Sequence, residues 1–449
     1  MKRLIRSSLA VALTLTLASA GHAGLFGGHH KGKHKNSKET PTVGKRIPIL
    51  LSEQSALPDP ALANVPVAIP DAEVNPGWAQ PGGTPSKANG NYALGAAIRP
   101  VWTKHIFGNT YRERLTSAPV VAGGKLFVMD THAKVFCFNA QSGAQLWVAD
   151  FGAFEGKFVV YGGGVSVDGD MVFATNGMGD VGALSATTGK LLWKKRPAGP
   201  LRGAPSIGYG EIFVTTQDNQ MFALKAADGS IDWTASGSLE SAGVFGAAAP
   251  AVAQGTVVQG FSSGELNAYR YENGRSLWGD VLSRTSVTTS VGALSDIDAD
   301  PVIDRGRVFA IGAGGRMVSE DLLTGQRIWE LNISGLSTPW VAGEWVFVLT
   351  EDAKLHCIAR GTGKIRWTLL LPHTVKNKPD NPIISYYGPI LADGHLIFTT
   401  SLGQIGEVDP ATGRLVKWLR MYGPTSLPPI VANNMLYTLD NMGRVTAWK

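Results

Sequence analysis

The stretch that decides the fold is ALSATTGKLLW, residues 183–193, because variants of it recur along the chain. In each copy a small turn containing glycine is followed a few residues later by a tryptophan. The tryptophans that end the copies are Trp147, Trp193, Trp233, Trp278, Trp329, Trp367 and Trp418. Successive tryptophans lie 46, 40, 45, 51, 38 and 51 residues apart. A repeat of this length predicts a solenoid or a propeller.

Each copy also contains two further elements upstream of its glycine turn. The first is a short strand that often carries proline, as in SAPVV at 117–121 and GAPSI at 203–207. The second is a hairpin, such as GKLFVMDTHAKVFCFNA at 124–140. Four short strands per repeat are typical of a propeller blade. One blade cannot bury its faces alone, so we expect the blades to stack in a ring with the tryptophans packed between them.

Counting the repeats predicts an all-β protein with eight blades. Seven repeats are complete, and the eighth, LPPIVANNMLYTLDNMGRVTAWK at 427–449, stops after its third strand. The missing strand has a donor in AIRPVWTKHI at 97–106, whose Trp102 precedes Trp147 by 45 residues. We therefore expect this N-terminal strand to close the ring in the last blade. The same alignment puts Cys137 and Cys357 in different blades, which predicts two free, buried thiols.

The segments ahead of the repeats differ in composition. Residues 1–23 combine three basic residues with a short apolar run, which is typical of a cleavable signal peptide. There is no cysteine near the cleavage site, so we expect no lipid anchor. Residues 24–46 are rich in His and Lys and are expected to be disordered. Residues 47–96 form a Pro-rich segment that we expect to lie extended along the eight-bladed domain, residues 97–449.

Charge argues against nucleic acid as a partner. The net charge is +6, but residues 1–38 hold seven of the 41 Lys and Arg and none of the 35 Asp and Glu. The remainder is nearly neutral, so it lacks the basic surface that nucleic acid requires. No later apolar run is long enough to span a bilayer. We expect any membrane association to be indirect.

One acidic stretch, ALSDIDADPVI at 293–303, has the D-x-D-x-D spacing of a calcium loop. An EF-hand needs glycine at the sixth position of that loop and glutamate at the twelfth, where this chain has Pro301 and Arg307. A possible nucleophile motif, GFSSG at 260–264, is not followed by a helix. The sequence therefore predicts no catalytic, cofactor or metal site, and no enzyme. A solvated turn and a partner-binding surface stay open for the acidic stretch.

The tryptophan repeat resembles that of the PQQ-like eight-bladed propellers. These include quinoprotein dehydrogenases, which bind PQQ and calcium, and the BamB family of non-enzymatic outer-membrane assembly factors. The chain lacks the adjacent cysteines of the dehydrogenases and any match to their calcium and base residues. Its ALSDIDADPVI stretch is similar to the RLSD-x-D loop of the BamB family, so we favour that family.

The BamB resemblance implies a periplasmic scaffold of the BAM complex in a Gram-negative bacterium, aiding outer-membrane protein assembly and insertion. It implies that Asp296 and Asp298, expected to be exposed, contact the POTRA domains of a BamA-like barrel protein. Val244 and Phe245 match the last leucine and the arginine of a second contact loop, which leaves the loop apolar but without its guanidinium. Asp300 is expected only to shape the turn. Unfolded outer-membrane proteins are further candidate partners.

Two alternatives to the scaffold remain at this point. One is a PQQ-dependent quinoprotein dehydrogenase, which shares the repeat. The other is an exported propeller that binds polysaccharide or peptidoglycan. Neither alternative has a residue motif of its own in this chain.

Overall fold

The computed structural model describes residues 56–95, 97–152, 162–239, 248–282, 295–378 and 380–449. The predicted signal peptide and basic tail lie outside the described residues, and so do Val244 and Phe245. The described chain is almost entirely β-structure, with two short 3₁₀ helices at Pro60–Leu62 and Val375–Asn377. In this part of the chain no helix is both long and apolar enough to cross a membrane.

The first four blades are four-stranded antiparallel sheets whose strands follow each other in chain order. The strands of blades 1 and 2 are β4 Val120–Ala122, β5 Lys125–Met129, β6 Lys134–Asn139, β7 Gln145–Asp150, β8 Gly163–Asp168, β9 Met171–Asn176, β10 Val181–Ser185 and β11 Leu191–Lys195. Those of blades 3 and 4 are β12 Ser206–Gly208, β13 Glu211–Thr215, β14 Gln220–Lys225, β15 Ile231–Ser236, β16 Ala251–Ala253, β17 Thr256–Gly260, β18 Glu265–Arg270 and β19 Ser276–Val281.

The remaining blades follow the same plan, with extra strands from the N-terminal part of the chain. Blades 5 and 6 comprise β20 Val302–Asp304, β21 Arg307–Gly312, β22 Arg316–Asp321, β23 Arg327–Leu331, β24 Trp340–Ala342, β25 Trp345–Leu349, β26 Lys354–Ala359 and β27 Ile365–Leu370. Blades 7 and 8 comprise β28 Tyr386–Ala392, β29 His395–Thr400, β30 Gln404–Asp409, β31 Arg414–Arg420, β32 Ile430–Ala432, β33 Met435–Leu439 and β34 Arg444–Trp448. The N-terminal strands are β1 Ala72–Glu73, β2 Asn91–Tyr92 and β3 Pro100–His105.

The described residues thus form the predicted eight-bladed all-β propeller. The first strand of each blade is largely buried, and the first strands of blades 1 to 5 neighbour each other in turn, as do those of blades 6 and 7. The first strands therefore surround the central channel, and the fourth strands lie outermost with alternating exposed residues. This alternation is typical of a sheet edge with one face toward solvent.

In blade 8, strand β3 pairs antiparallel with β34 and supplies the fourth strand. Thr103 lies opposite Thr446, and their hydroxyl oxygens are 3.2 Å apart. The two ends of the propeller sequence therefore meet in one sheet. That ring closure depends on this strand stays a prediction.

The repeated tryptophans connect neighbouring blades. In seven blades the indole N–H donates to a carbonyl oxygen near the turn between the third and fourth strands of the next blade, at 2.6–3.2 Å. The pairs are Trp102 with Ala140, Trp147 with Ala186, Trp193 with Ala226, Trp233 with Tyr271, Trp278 with Leu322, Trp329 with Arg360 and Trp367 with Pro410. A buried indole requires such an acceptor.

The glycine of the same turn makes room for the incoming indole. A Cβ at this glycine would lie 2.5–2.8 Å from the indole, and each glycine has φ between +68° and +72°. The pairs are Gly143 with Trp102, Gly189 with Trp147, Gly229 with Trp193, Gly274 with Trp233, Gly325 with Trp278, Gly363 with Trp329 and Gly413 with Trp367. In each repeat the glycine contacts the tryptophan of the preceding blade. The tryptophan of the same repeat packs against the glycine of the next blade.

Trp418 is the exception among the repeated tryptophans. The next blade, blade 8, takes its third and fourth strands from opposite ends of the propeller sequence, so no turn joins them. Trp418 packs edge-on against Phe398 of its own blade, with ring centroids 5.6 Å apart. The departure follows directly from how blade 8 is assembled.

The two cysteines are free and buried, which confirms the prediction for both thiols. Each lies on the third strand of its blade, β6 or β26, with no exposed surface. Burial raises the pKa of Cys137 to about 12 and also raises that of Cys357. Both are therefore unreactive thiols that fill space in the core.

Residues 72–92 run once around the central channel; we call this segment the N-terminal ring. It hydrogen-bonds to the first strand of each blade, or to the residue just after it, in the order 8, 1, 2, 3, 4, 5, 6 and 7. The pairs in that order are Asn75 with Val431 and Asn433, Trp78 with Val121, Ala79 with Val167, Gln80 with Ile207, Pro85 with Val252, Ser86 with Ile303, Gly90 with Trp340, and Tyr92 with Asp393. The circuit closes where β1 pairs in parallel with β2.

The N-terminal ring gives partners to backbone groups that the innermost strands would otherwise turn toward the channel. Most of its contacts are main-chain hydrogen bonds, such as the reciprocal pair between Trp78 and Val121 at 2.6 and 2.8 Å. Trp78 also stacks on Trp340, with centroids 6.2 Å apart and planes 16° apart, and Tyr92 meets both rings edge-on. The ring therefore anchors itself in the core through Trp78 and Tyr92.

Candidate docking site

The acidic loop, residues 295–301, precedes the first strand of blade 5 and lies against the neighbouring hairpins. Ser295 Oγ donates to Ser262 O at 3.1 Å, and Ile297 N donates to Phe261 O at 3.1 Å. Ile297 is fully buried, and a Cβ at Gly260 would lie 2.3 Å from its side chain. The loop is thus packed against blade 4 by its own side chain.

Asp296 and Asp298 converge on one guanidinium. Arg202 Nη2 lies 3.4 Å from Asp296 Oδ1 and 3.5 Å from Asp298 Oδ1. The expectation that both carboxylates are exposed is wrong, since Asp296 is fully buried and the Asp298 side chain is 6% exposed. Burial is possible because Arg202, two blades earlier in the chain, supplies the compensating charge.

Among the described residues, one cation and two further carboxylates act on Asp298. Burial raises the pKa of Asp298 to about 7, Arg202 opposes the rise, and the neighbouring Asp296 and Glu351 add to it. Asp298 Oδ2 is buried and accepts no hydrogen bond from the described residues. Such an unfilled acceptor costs free energy unless an incoming donor satisfies it.

Asp300 does more than shape the turn before Pro301, which was the expectation for it. Its carboxylate accepts a hydrogen bond from Ala249 N at 2.7 Å, and its own N–H donates to Thr338 Oγ1 at 3.1 Å. Burial raises its pKa, while the charge of Lys87 and the bond from Ala249 oppose that rise. Asp300 therefore joins the acidic loop to the start of blade 4.

Lys87, in the N-terminal ring, is the buried cation beside Asp300. Its Nζ donates to Pro81 O at 2.6 Å and to Ser206 Oγ at 3.0 Å. Burial lowers the pKa of Lys87 to about 8, and the nearby Asp300 opposes this effect. A buried lysine is tolerated when it is hydrogen-bonded and lies near an opposite charge.

The sequence comparison of contact loops missed Arg202. The family resemblance puts the second contact loop in the blade before the acidic loop. There Val244 and Phe245 replace the expected leucine and arginine, and both residues lie outside the described part of the chain. In the structure the guanidinium comes from Arg202, two blades earlier in the chain. There PLRGAP, residues 200–205, places Leu201 and Arg202 before an Ala-Pro strand. That local motif was the signal that could have found it.

The arrangement is suited to binding rather than to bond chemistry. Among the described residues, no group of His, Cys, Asp and Glu could hold a metal ion. The carboxylates of the acidic loop face the protein's own cations, Arg202 and Lys87. Within the described part of the chain, the site offers a loop packed against blade 4 and one carboxylate oxygen, Asp298 Oδ2, without a donor.

A family model described as "Outer membrane protein assembly factor BamB" matches residues 93–162 and 155–369. Curated proteins of that name are similar over most of the chain. The protein of Moranella endobia is 23% identical over 356 residues, which is 77% of this chain and 89% of the relative. That of Salmonella typhimurium is 27% identical over 354 residues, 77% and 88% of the two chains. That of Escherichia coli is 27% identical over 303 residues, 66% and 75%.

Solved structures share the fold. BamB from Moraxella catarrhalis superposes with a TM-score of 0.66 at 18% identity, covering 79% of this chain and all of that one. A europium-containing methanol dehydrogenase gives a TM-score of 0.64 at 12% identity, covering 83% and 98%. The quinohemoprotein alcohol dehydrogenase of Comamonas testosteroni gives 0.62 at 12%, covering 84% and 81%. At such identities the likeness concerns architecture alone.

Proposed function

Because the chain belongs to the family of the outer membrane protein assembly factor BamB, we propose that it is a scaffold for the assembly of outer-membrane β-barrel proteins. Its curated relatives carry that name at 23–27% identity. The dehydrogenases, in contrast, share only the fold at 12% identity. The chain is an assembly factor and not an enzyme, and the quinoprotein alternative has less support.

The proposed partner is the periplasmic POTRA region of a BamA-like barrel protein, as the family resemblance implies. The observation that carries this proposal is the cluster of Arg202 with Asp296 and Asp298. Asp296 and Glu351 both act electrostatically on Asp298 and Arg202 opposes them, and Asp298 Oδ2 has no donor among the described residues. A basic side chain of the partner fits both the charge and the vacant acceptor.

In this proposal the two aspartates have different roles. Asp296 is fully buried, so it holds Arg202 in place and does not reach a partner. Asp298, whose side chain keeps 6% exposure, is the residue proposed to meet the partner's cation. Docking on this site is a positioning function: a stiff ring of blades presents a preformed loop, and little freedom is lost on binding.

Association with the outer membrane follows from the family, and the route to it is part of the proposal. Residues 1–23 read as a cleavable signal peptide that exports the chain to the periplasm. The barrel protein then holds the propeller at the membrane. The basic tail at 24–46 adds weak attraction to anionic headgroups.

Isothermal titration of the purified full mature chain against the soluble POTRA domains of the same organism's barrel protein tests the docking. We expect binding that weakens at least tenfold in Asp298→Asn and in the double variant D296N/D298N. Asp170→Asn, in an exposed turn of blade 2, is the control and should bind as the wild type does. Equal binding by all variants, or stoichiometric binding of PQQ with calcium, contradicts the proposal.

A further inference from the structure

The N-terminal ring lies ahead of the part of the chain that the family model matches. The family model begins at residue 93, one residue after the ring ends. The ring hydrogen-bonds to all eight blades, and Trp78, Gln80, Lys87 and Asn91 within it are buried. A segment ahead of the matched region therefore lies at the centre of this propeller.

Two consecutive ring residues hold the strands that follow the two predicted contact loops. Pro85 O accepts from Val252 N on β16, and Ser86 O accepts from Ile303 N on β20, both at 2.8 Å. Strand β20 follows the acidic loop, and β16 follows residues 244 and 245, which lie outside the described residues. The ring thus braces the first strands of blades 4 and 5 where the predicted docking loops end.

Lys87, the next ring residue, extends this brace to the acidic loop. Its ammonium group donates to Ser206 of blade 3 and acts electrostatically on Asp300. Asp300 in turn accepts from Ala249, at the start of blade 4. A buried cation that is hydrogen-bonded to blade 3 therefore lies near the carboxylate by which the acidic loop holds the start of blade 4.

We propose that the N-terminal ring is a built-in brace for the docking site, and that Lys87 is its positioning residue. The inference rests on the proposed function for its effect on binding, but not for its effect on the loop. Lys87 touches no partner. It supplies a positive charge near the buried carboxylate of Asp300. The hydrogen bonds of Asp300 with Ala249 N and Thr338 Oγ1 hold the loop that carries Asp298.

Lys87→Met tests the brace, because methionine keeps much of the side chain's volume but removes its charge. We expect faster hydrogen–deuterium exchange in residues 295–304 and at least fivefold weaker binding to the POTRA domains. Asn75→Ala is the matched control, since it removes a ring contact to blade 8, far from the acidic loop. It should leave both readouts at wild-type values. All proteins are compared at a temperature where circular dichroism shows them folded.

A second variant keeps the test decisive if Lys87→Met alone does not fold. The double variant K87M/D300N removes both charges, so no unpaired carboxylate stays buried. It should show the same exchange increase and loss of affinity. If residues 295–304 of either folded variant exchange hydrogen at the wild-type rate, the brace is overturned, whether or not a partner binds. Failure of the wild type to bind, with exchange altered as expected, overturns the proposed function and leaves the brace standing.

Discussion

Gly229 of blade 3 lies directly against the indole of Trp193 of blade 2: a Cβ at Gly229 would stand 2.5 Å from that ring. The same turn gives Trp193 its hydrogen-bond acceptor, Ala226 O, at 3.1 Å. Because this relationship recurs from blade to blade, each glycine turn sets the spacing to the blade before it.

Gly229→Ala should therefore lower the free energy of unfolding by about 2–4 kcal/mol, adding overpacking to the cost of a positive φ. Gly210→Ala is the control. Gly210 has φ of +79° but nothing within 4 Å of the added Cβ, so its cost should be about 1–2 kcal/mol. Urea unfolding measures both. Equal losses for the two variants would show that the indole contact carries no weight.

The N-terminal ring should contribute to global stability through its buried aromatic cluster. Trp78→Ala is expected to cost about 3–5 kcal/mol, the usual range for truncating a buried tryptophan. Tyr111→Ala is the comparison, because Tyr111 is 92% exposed and its loss should change stability by less than about 0.5 kcal/mol. Thermal or urea denaturation decides. A Trp78 variant as stable as the Tyr111 variant would mean that the ring lies along the channel without contributing to stability.

Strand β3 should be needed for the propeller to unfold as one unit. Without residues 97–106, β34 loses its partner and blade 8 has an open edge beside blade 1. We expect the deletion to abolish the single cooperative transition seen by circular dichroism. An unchanged melting curve would contradict ring closure by this strand.

Asp298 should make stability depend on pH in a defined direction. Its pKa is raised in the folded state to about 7, so the folded protein holds the proton more tightly than the unfolded chain. Its contribution to stability is fully present below pH 4 and is lost as pH rises through about 7. Asp298→Asn removes this loss. The stability of the variant minus that of the wild type should grow by about 4 kcal/mol between pH 4 and pH 8.

Urea unfolding at several pH values measures this difference in stability. The effect of other titrating groups cancels in the difference when the sites are independent. Asp170→Asn serves as control, and its difference from the wild type should stay constant. A constant difference for Asp298→Asn as well would show that the folded environment does not hold its proton.

The propeller could be predicted from sequence because each repeat carries its own geometry. The glycine at positive φ and the tryptophan after it are local signals, and they occur often enough to count blades. The missing strand at 97–106 followed from the same count, since Trp102 lies one period before Trp147.

The N-terminal ring could not be predicted, for a physical reason. Residues 72–92 occur once, and most of their partners are main-chain groups of eight distant strands. Main-chain hydrogen bonds leave little trace in side-chain identity, so the Pro-rich composition indicated only an extended segment. The burial of Lys87 was equally hidden, because its neighbours come from blades 3 to 5.

The candidate site was predicted in part. The D-x-D-x-D spacing drew attention to the correct loop, but a turn rich in aspartate indicates exposure. The structure buries Asp296 because Arg202 reaches it across 94 residues of sequence. Pairing over that distance is set by the ring of blades, which a comparison of single loops does not contain.

The central claim is that Asp298 meets a partner's cation, and the pH dependence of docking tests it most directly. A carboxyl group with a pKa near 7 must lose its proton before it can pair, so binding to the POTRA domains should be about tenfold weaker at pH 6 than at pH 8. In Asp298→Asn that pH dependence should disappear. An affinity whose change with pH is the same in wild type and variant would contradict the account.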